Sequence, residues 1–87
     1  MKIENKKVQS DEWYVEVDDN KIKVENKMSG TKLYVNEKLQ DALLGVAFSG
    51  VNFSGKLPDG RVVKVILGGF IKMHCCIFVD GELVLES

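Results

Sequence analysis

The chain has 87 residues, 45% of them hydrophobic and 29% charged, with a formal net charge of −1. That length makes one domain near the small end of what folds without staples, with room for one core and little for a deep cleft. A charge this close to zero supplies no field to draw in nucleic acid or an anionic membrane. Arg61 is the single arginine among twelve basic residues, which counts against bidentate readout of phosphates or bases.

In chain order, residues 1–12 are polar and lysine-containing, without the apolar stretch of a secretory signal. They read as a flexible segment or an edge strand ahead of a domain spanning 13–87. Trp13, Val15 and Val17 then alternate with Tyr14, Glu16 and Asp18. The turn cluster Asp18-Asp19-Asn20 follows, and Ile22 and Val24 return between Lys21, Lys23 and Glu25. This is a hairpin by both period and turn chemistry. Met28-Ser29-Gly30 interrupts the alternation and Thr31–Val35 resumes it, with Leu33 and Val35 inward and Lys32 and Tyr34 outward. Asn36-Glu37-Lys38 is a tight turn.

Residues 37–44 carry two periods at once. Leu39, Leu43 and Val46 fit a short helix ending near Gly45, while Leu44, Val46 and Phe48 fit a strand. Val51–Leu57 and Arg61–Leu67 form the next pair around Pro58-Asp59-Gly60, where proline presets φ and glycine takes the positive-φ position. The last run, Gly68–Leu85, holds both cysteines and the only histidine. Its odd positions Ile71, Met73, Cys75, Ile77 and Val79 are apolar, its even positions mixed, and Asp80-Gly81 turns it back on itself.

The result is an all-β chain: a single antiparallel β-sandwich or flattened barrel of about eight short strands joined by tight hairpins. An internal echo runs through it. Leu33-Tyr34-Val35-Asn36-Glu37-Lys38-Leu39 aligns with Ile77-Phe78-Val79-Asp80-Gly81-Glu82-Leu83 at an offset of 44, and Lys21–Glu25 with Val62–Ile66 at an offset of 41. Two readings stand: ordinary likeness between hairpins, or a pseudo-twofold built from two copies of one unit.

No apolar run reaches the ~18 residues needed to span a bilayer. Cys75 and Cys76 are adjacent, and a bond between them would close a strained vicinal ring, so both read as free thiols of a cytoplasmic protein. Alternation also separates the His74-Cys75-Cys76 triplet: Cys75 faces inward, while His74 and Cys76 share the other face. That leaves two ligands where a zinc or copper site needs three or four, and no third group to orient a Cys–His pair. Gly50–Leu57 approaches the phosphate-loop pattern, but Leu57 stands where Ser or Thr must hold magnesium and Pro58 turns the chain where a helix should start. Asp18, Asp19 and Asp59 all fall in turns, where Asp serves the backbone. No cofactor and no catalytic residue is expected.

Trp13–Val17, Lys21–Glu25, Ser29–Asn36 and the closing Cys76–Leu83 hairpin resemble, in order and spacing, the amino-terminal domain of the Fas apoptosis inhibitory molecule family. The resemblance spans most of residues 13–84, resting between Gln40 and Gly69 on element length. It implies a compact antiparallel β-sandwich used as an interaction module, with no catalytic residues to carry over.

The expected function is therefore a non-catalytic protein-interaction module, with a protein partner or a second copy of the chain, and no nucleic-acid or membrane partner. The expected surface is the even-numbered face of the last long strand, Phe70, Lys72, His74, Cys76 and Phe78, together with Tyr34. The alternative is a carrier of a small apolar ligand in a barrel pocket. A metal or enzymatic site at His74 and Cys76 stands third.

Overall fold

Alternation and turn chemistry together decide the architecture. The computed structural model describes residues 1–9, 11–27, 29–44, 51–69 and 73–87. Its strands are β1 (Ile3–Gln9), β2 (Glu12–Val17), β3 (Asn20–Lys27), β4 (Gly30–Val35), β5 (Lys38–Leu44), β6 (Val51–Lys56), β7 (Val62–Gly68), β8 (His74–Val79) and β9 (Glu82–Glu86). Within each sheet every strand pairs antiparallel with its chain neighbours, giving a five-stranded meander β1-β2-β3-β4-β5 and a four-stranded meander β6-β7-β8-β9. The two sheets pack as a sandwich. The described residues include no helix.

Residues 3–9 form an edge strand on β2, which raises the strand number above the expected eight. The ambiguous 37–44 piece is strand β5. It pairs with β4, and a bulge between Leu33 and Tyr34 (Leu33↔Asp41, then Tyr34↔Leu39) absorbs the residue that breaks its alternation. A helix of two turns cannot repay its own nucleation, whereas a strand laid on an existing hairpin gains a ladder at once.

The core lies between the sheets. Trp13, Val15 and Val17 from β2 and Leu33 and Val35 from β4 meet Phe53, Val65, Cys75 and Ile77 from the other sheet, each no more than 3% exposed. At ~1.5–3 kcal/mol for each large side chain fully buried, this layer is what orders the meanders against each other.

Three two-residue turns share one device. Asp18-Asp19, Asn36-Glu37 and Asp80-Gly81 all have positive φ at both positions (48/67, 50/68 and 48/80°), the type I′ geometry that matches strand twist. In each, the first turn residue clasps the strand one earlier in its sheet. The backbone N–H groups of Lys2, Lys21 and Val62 donate to Asp18 Oδ1, Asn36 Oδ1 and Asp80 Oδ1 at 2.8, 2.9 and 2.8 Å. The turn residues' own N–H groups donate back to the carbonyls of Lys2, Lys21 and Val62, each at 2.8 Å. Only Asp or Asn combines a short acceptor side chain with tolerance of left-handed backbone.

The internal echo is a structural repeat. Ile22↔Val35 in β3–β4 corresponds to Val63↔Val79 in β7–β8, and the bulge pairing Tyr34↔Leu39 corresponds to Phe78↔Leu83. The match extends to β2 and β6, where Trp13↔Val24 answers Phe53↔Val65. Each sheet is one copy of a four-stranded meander, and β1 is added to the first.

Candidate functional site

With the inner faces committed to the core, the chemistry of the molecule is displayed on two outer faces, and they differ. On the four-stranded sheet, Ile66, Cys76 and Glu86 form one cross-strand row and Lys64, Phe78 and Leu83 the next. Ile66 and Leu83 are 44% and 43% exposed, and Cys76 and Phe78 are half-buried between them. Four apolar side chains thus meet water side by side.

Of the residues expected to make a surface, His74, Cys76 and Phe78 share this face. Phe70 and Lys72 lie outside the described residues. Tyr34 does not join them: it points outward from β4 in the other sheet, because its neighbours Leu33 and Val35 fill the core. Ile66 and Leu83 were not anticipated. Ile66 could have been found from its place opposite Cys76 once the Pro58-Asp59-Gly60 turn sets the register. Leu83 could not, because only the bulge between Ile77 and Phe78 turns Leu83 outward and leaves Val84 and Leu85 buried.

The His-Cys-Cys triplet has little reactive capacity. Cys75 is fully buried and its thiol is pushed up to about 12, chiefly by burial. Cys76 is also raised, by burial first and then by the Glu86 carboxylate, whose Oε2 lies 4.0 Å from Sγ. Both shifts favour the thiol over the nucleophilic thiolate. His74 Nδ1 lies 2.7 Å from the carbonyl oxygen of Ser87. A carbonyl only accepts, so this nitrogen carries the proton and cannot act as a base toward Cys76. Among the described residues no three His, Cys, Asp or Glu side chains are arranged to hold a metal ion.

The outer face of the five-stranded sheet is polar and concave. A depression of about 920 Å³ is lined by Asn5, Lys7 and Gln9 from β1, Glu12, Tyr14 and Glu16 from β2, Lys21, Lys23 and Glu25 from β3, Tyr34 from β4, and Glu37. Lys7, Tyr14, Lys23 and Tyr34 stand in a single cross-strand row. The Tyr14 hydroxyl donates to Glu16 Oε2 at 2.8 Å, and Asn5 Nδ2 donates to the same oxygen at 3.0 Å. Burial first, and then this bond, push the Tyr14 phenol up to about 12. The same bonds, Tyr14 first, hold the Glu16 carboxyl below its ordinary value. Lys23 Nζ sits 2.9 Å from Glu25 and 3.9 Å from Glu12, and 6.0 Å from the centre of the Tyr34 ring, the outer limit of a cation–π contact.

At one end of the sandwich Arg61 bridges the two sheets. Its Nη1 donates to Asp18 Oδ2 at 2.7 Å and its Nε to Asp59 Oδ2 at 2.8 Å. Along one side, β5 guards the free edge of β6: Asp41 Oδ2 accepts from the Ser54 N–H at 3.1 Å and Gln40 Oε1 from the Lys56 N–H at 3.3 Å.

Comparison with protein-family models, with characterised proteins and with solved structures gave no match to this chain. The reading of its function rests on the two faces.

Proposed function

We propose that this domain is a non-catalytic interaction module that docks a protein partner through the outer face of its four-stranded sheet. One observation carries this. Ile66, Cys76, Phe78 and Leu83 are contiguous and outward-facing, whereas the corresponding positions of the other sheet hold Glu25, Lys32, Tyr34 and Leu39, two of them charged. A sheet face that meets only water alternates to polar residues. Covering large apolar side chains is worth ~1.5–3 kcal/mol each, so this face gains by being covered.

Lys64 and Glu86 border the patch with opposite charges, a polar rim around an apolar centre. A second copy of the chain is the simplest partner. The resemblance to the Fas apoptosis inhibitory molecule amino-terminal domain favours the same kind of role. The two free thiols suit a reducing cytoplasm. A carrier of an apolar ligand would need space between the sheets, and the core side chains there pack at no more than 3% exposure.

The test is light scattering over a concentration series, with partner capture, on the wild type and on Phe78→Glu. Association that Phe78→Glu abolishes supports the reading. A wild type that stays monomeric, with partners unaffected by Phe78→Glu, removes its support.

A further inference from the structure

The concave face of the five-stranded sheet has chemistry unlike that of the docking face and lies on the opposite side of the molecule. We infer that this depression is a binding site for a neutral oligosaccharide. Its volume, about 920 Å³, is at the upper end of ligand pockets, and it stands on backbone-paired strands rather than loops.

The lining selects the ligand by elimination and then by fit. Three lysines face four glutamates, and the pairs Lys23–Glu25 and Lys21–Glu37 hold opposite charges within 3.5 Å of each other. The face therefore has no field to favour an anion or a cation. Among the described residues no aliphatic side chain lines it, which removes the reason for a lipid or other apolar ligand to enter. What remains is dense in both donors and acceptors, with two aromatic rings among them. A pyranose ring matches that pair of features. Its hydroxyls donate and accept around the rim, and its C–H faces lie flat on an aromatic ring.

Tyr14 and Tyr34 lie in one row with Lys23 between them, hence roughly 9–10 Å apart at two strand spacings. A chain of sugars can reach both rings where one sugar cannot. The polar groups are also fixed in advance. Glu16 is held by Tyr14 and Asn5 through one oxygen and keeps its other lone pairs for a hydroxyl. Lys23 is held by Glu25 and keeps donors free. Groups already ordered cost little to order again on binding.

The test is an amide chemical-shift titration of the full chain with cellotetraose, maltotetraose and triacetylchitotriose. A heparin-derived sulfated oligosaccharide, a lysine-rich peptide and a glutamate-rich peptide serve as charged probes. The expected result is saturable shifts in β2, β3 and β4 with at least one neutral oligosaccharide, an affinity about tenfold weaker in Tyr34→Ala, and a smaller loss in Tyr14→Phe, which keeps the ring but frees Glu16. If Tyr34→Ala does not fold, the Tyr14→Phe comparison and the map of shifts decide alone. Absence of shifts with all three neutral sugars at millimolar concentration overturns the inference. So do shifts confined to β7, β8 and β9, or binding at this face by a charged probe in preference to the neutral ones.

Discussion

The indole Nε1–H of Trp13 donates to Ser87 Oγ at 2.8 Å, joining residues 74 positions apart. The same hydroxyl accepts the Cys75 N–H at 3.2 Å, and the Ser87 N–H donates to the Cys75 carbonyl at 3.1 Å. One side chain thereby links β2 of the first sheet to β8 of the second. Trp13 is only 3% exposed, so without Ser87 its N–H has no water to turn to. Ser87→Ala is expected to cost about 1–3 kcal/mol, the range for a buried donor left unpaired, and Ser87→Thr much less. Urea unfolding followed by the fluorescence of Trp13, the only tryptophan, measures both. A loss in Ser87→Ala no larger than in Ser87→Thr contradicts the linkage.

The clasping turns give a second prediction. Asp80 uses its side chain to accept the Val62 N–H while sitting at φ 48°. Asp80→Asn keeps the acceptor and the tolerance of that φ, and should leave stability nearly unchanged. Asp80→Ala loses both and should cost about 1–2 kcal/mol. The same contrast is expected for Asn36→Asp against Asn36→Ala. Equal losses for the two kinds of variant would show that the acceptor is irrelevant.

A third concerns acid. The Lys2 backbone N–H first, and the Arg61 guanidinium second, hold the Asp18 carboxyl below its ordinary 3.8. The Arg61 backbone N–H, and then its side chain, do the same for Asp59. A depressed folded value means the stabilisation is complete above 3.8, where both states are ionised, and is lost as pH falls through the lower folded values. Stability should therefore decline on acidification below about pH 4, and Arg61→Ala should make that decline shallower. Urea midpoints on a pH series read the slope. Parallel slopes for wild type and Arg61→Ala would refute the assignment.

The guarded edge of β6 gives a fourth. A Cβ added to Gly55 would lie 3.0 Å from the Cβ of Gln40, a tight contact that Gln40 must shift by a few tenths of an ångström to relieve. Gly55→Ala should thus destabilise by about 1–3 kcal/mol, the usual cost of overpacking, and Gln40→Gly should relieve part of it. Asp41→Ala and Gln40→Ala should speed amide hydrogen exchange at Ser54 and Lys56 respectively, roughly fivefold for a bond of about 1 kcal/mol. Exchange at those two amides unchanged in the variants would mean that the side chains do not guard the edge.

Much of the fold could be read along the chain because local chemistry and global packing agree. Asp18-Asp19, Asn36-Glu37 and Asp80-Gly81 announce tight turns, and the alternation of Trp13, Val15 and Val17 or of Val63, Val65 and Leu67 names the core face. The repeat was visible as paired offsets of 41 and 44, and its structural content is a shared register and a shared bulge. β5 was illegible for a physical reason. Leu39, Leu43 and Leu44 satisfy two periods, and pairing with β4 decides between them.

The sites were harder. Tyr34 and Phe78 occupy equivalent places in the two repeats, so local pattern treats them alike, yet they emerge on the outer faces of different sheets. The depression around Tyr14 and Lys23 exists only once four strands align. No window of sequence contains it.

The central claim is that Phe78 and its neighbours form the surface on which this domain meets a protein. Quantitative partner capture with wild type, Phe78→Glu and Tyr34→Ala tests it most directly, since the two variants alter opposite faces of one scaffold. The account predicts that Phe78→Glu loses the bound partner, whether a second copy or another protein, while Tyr34→Ala retains it. Retention of the same partner by Phe78→Glu would contradict it.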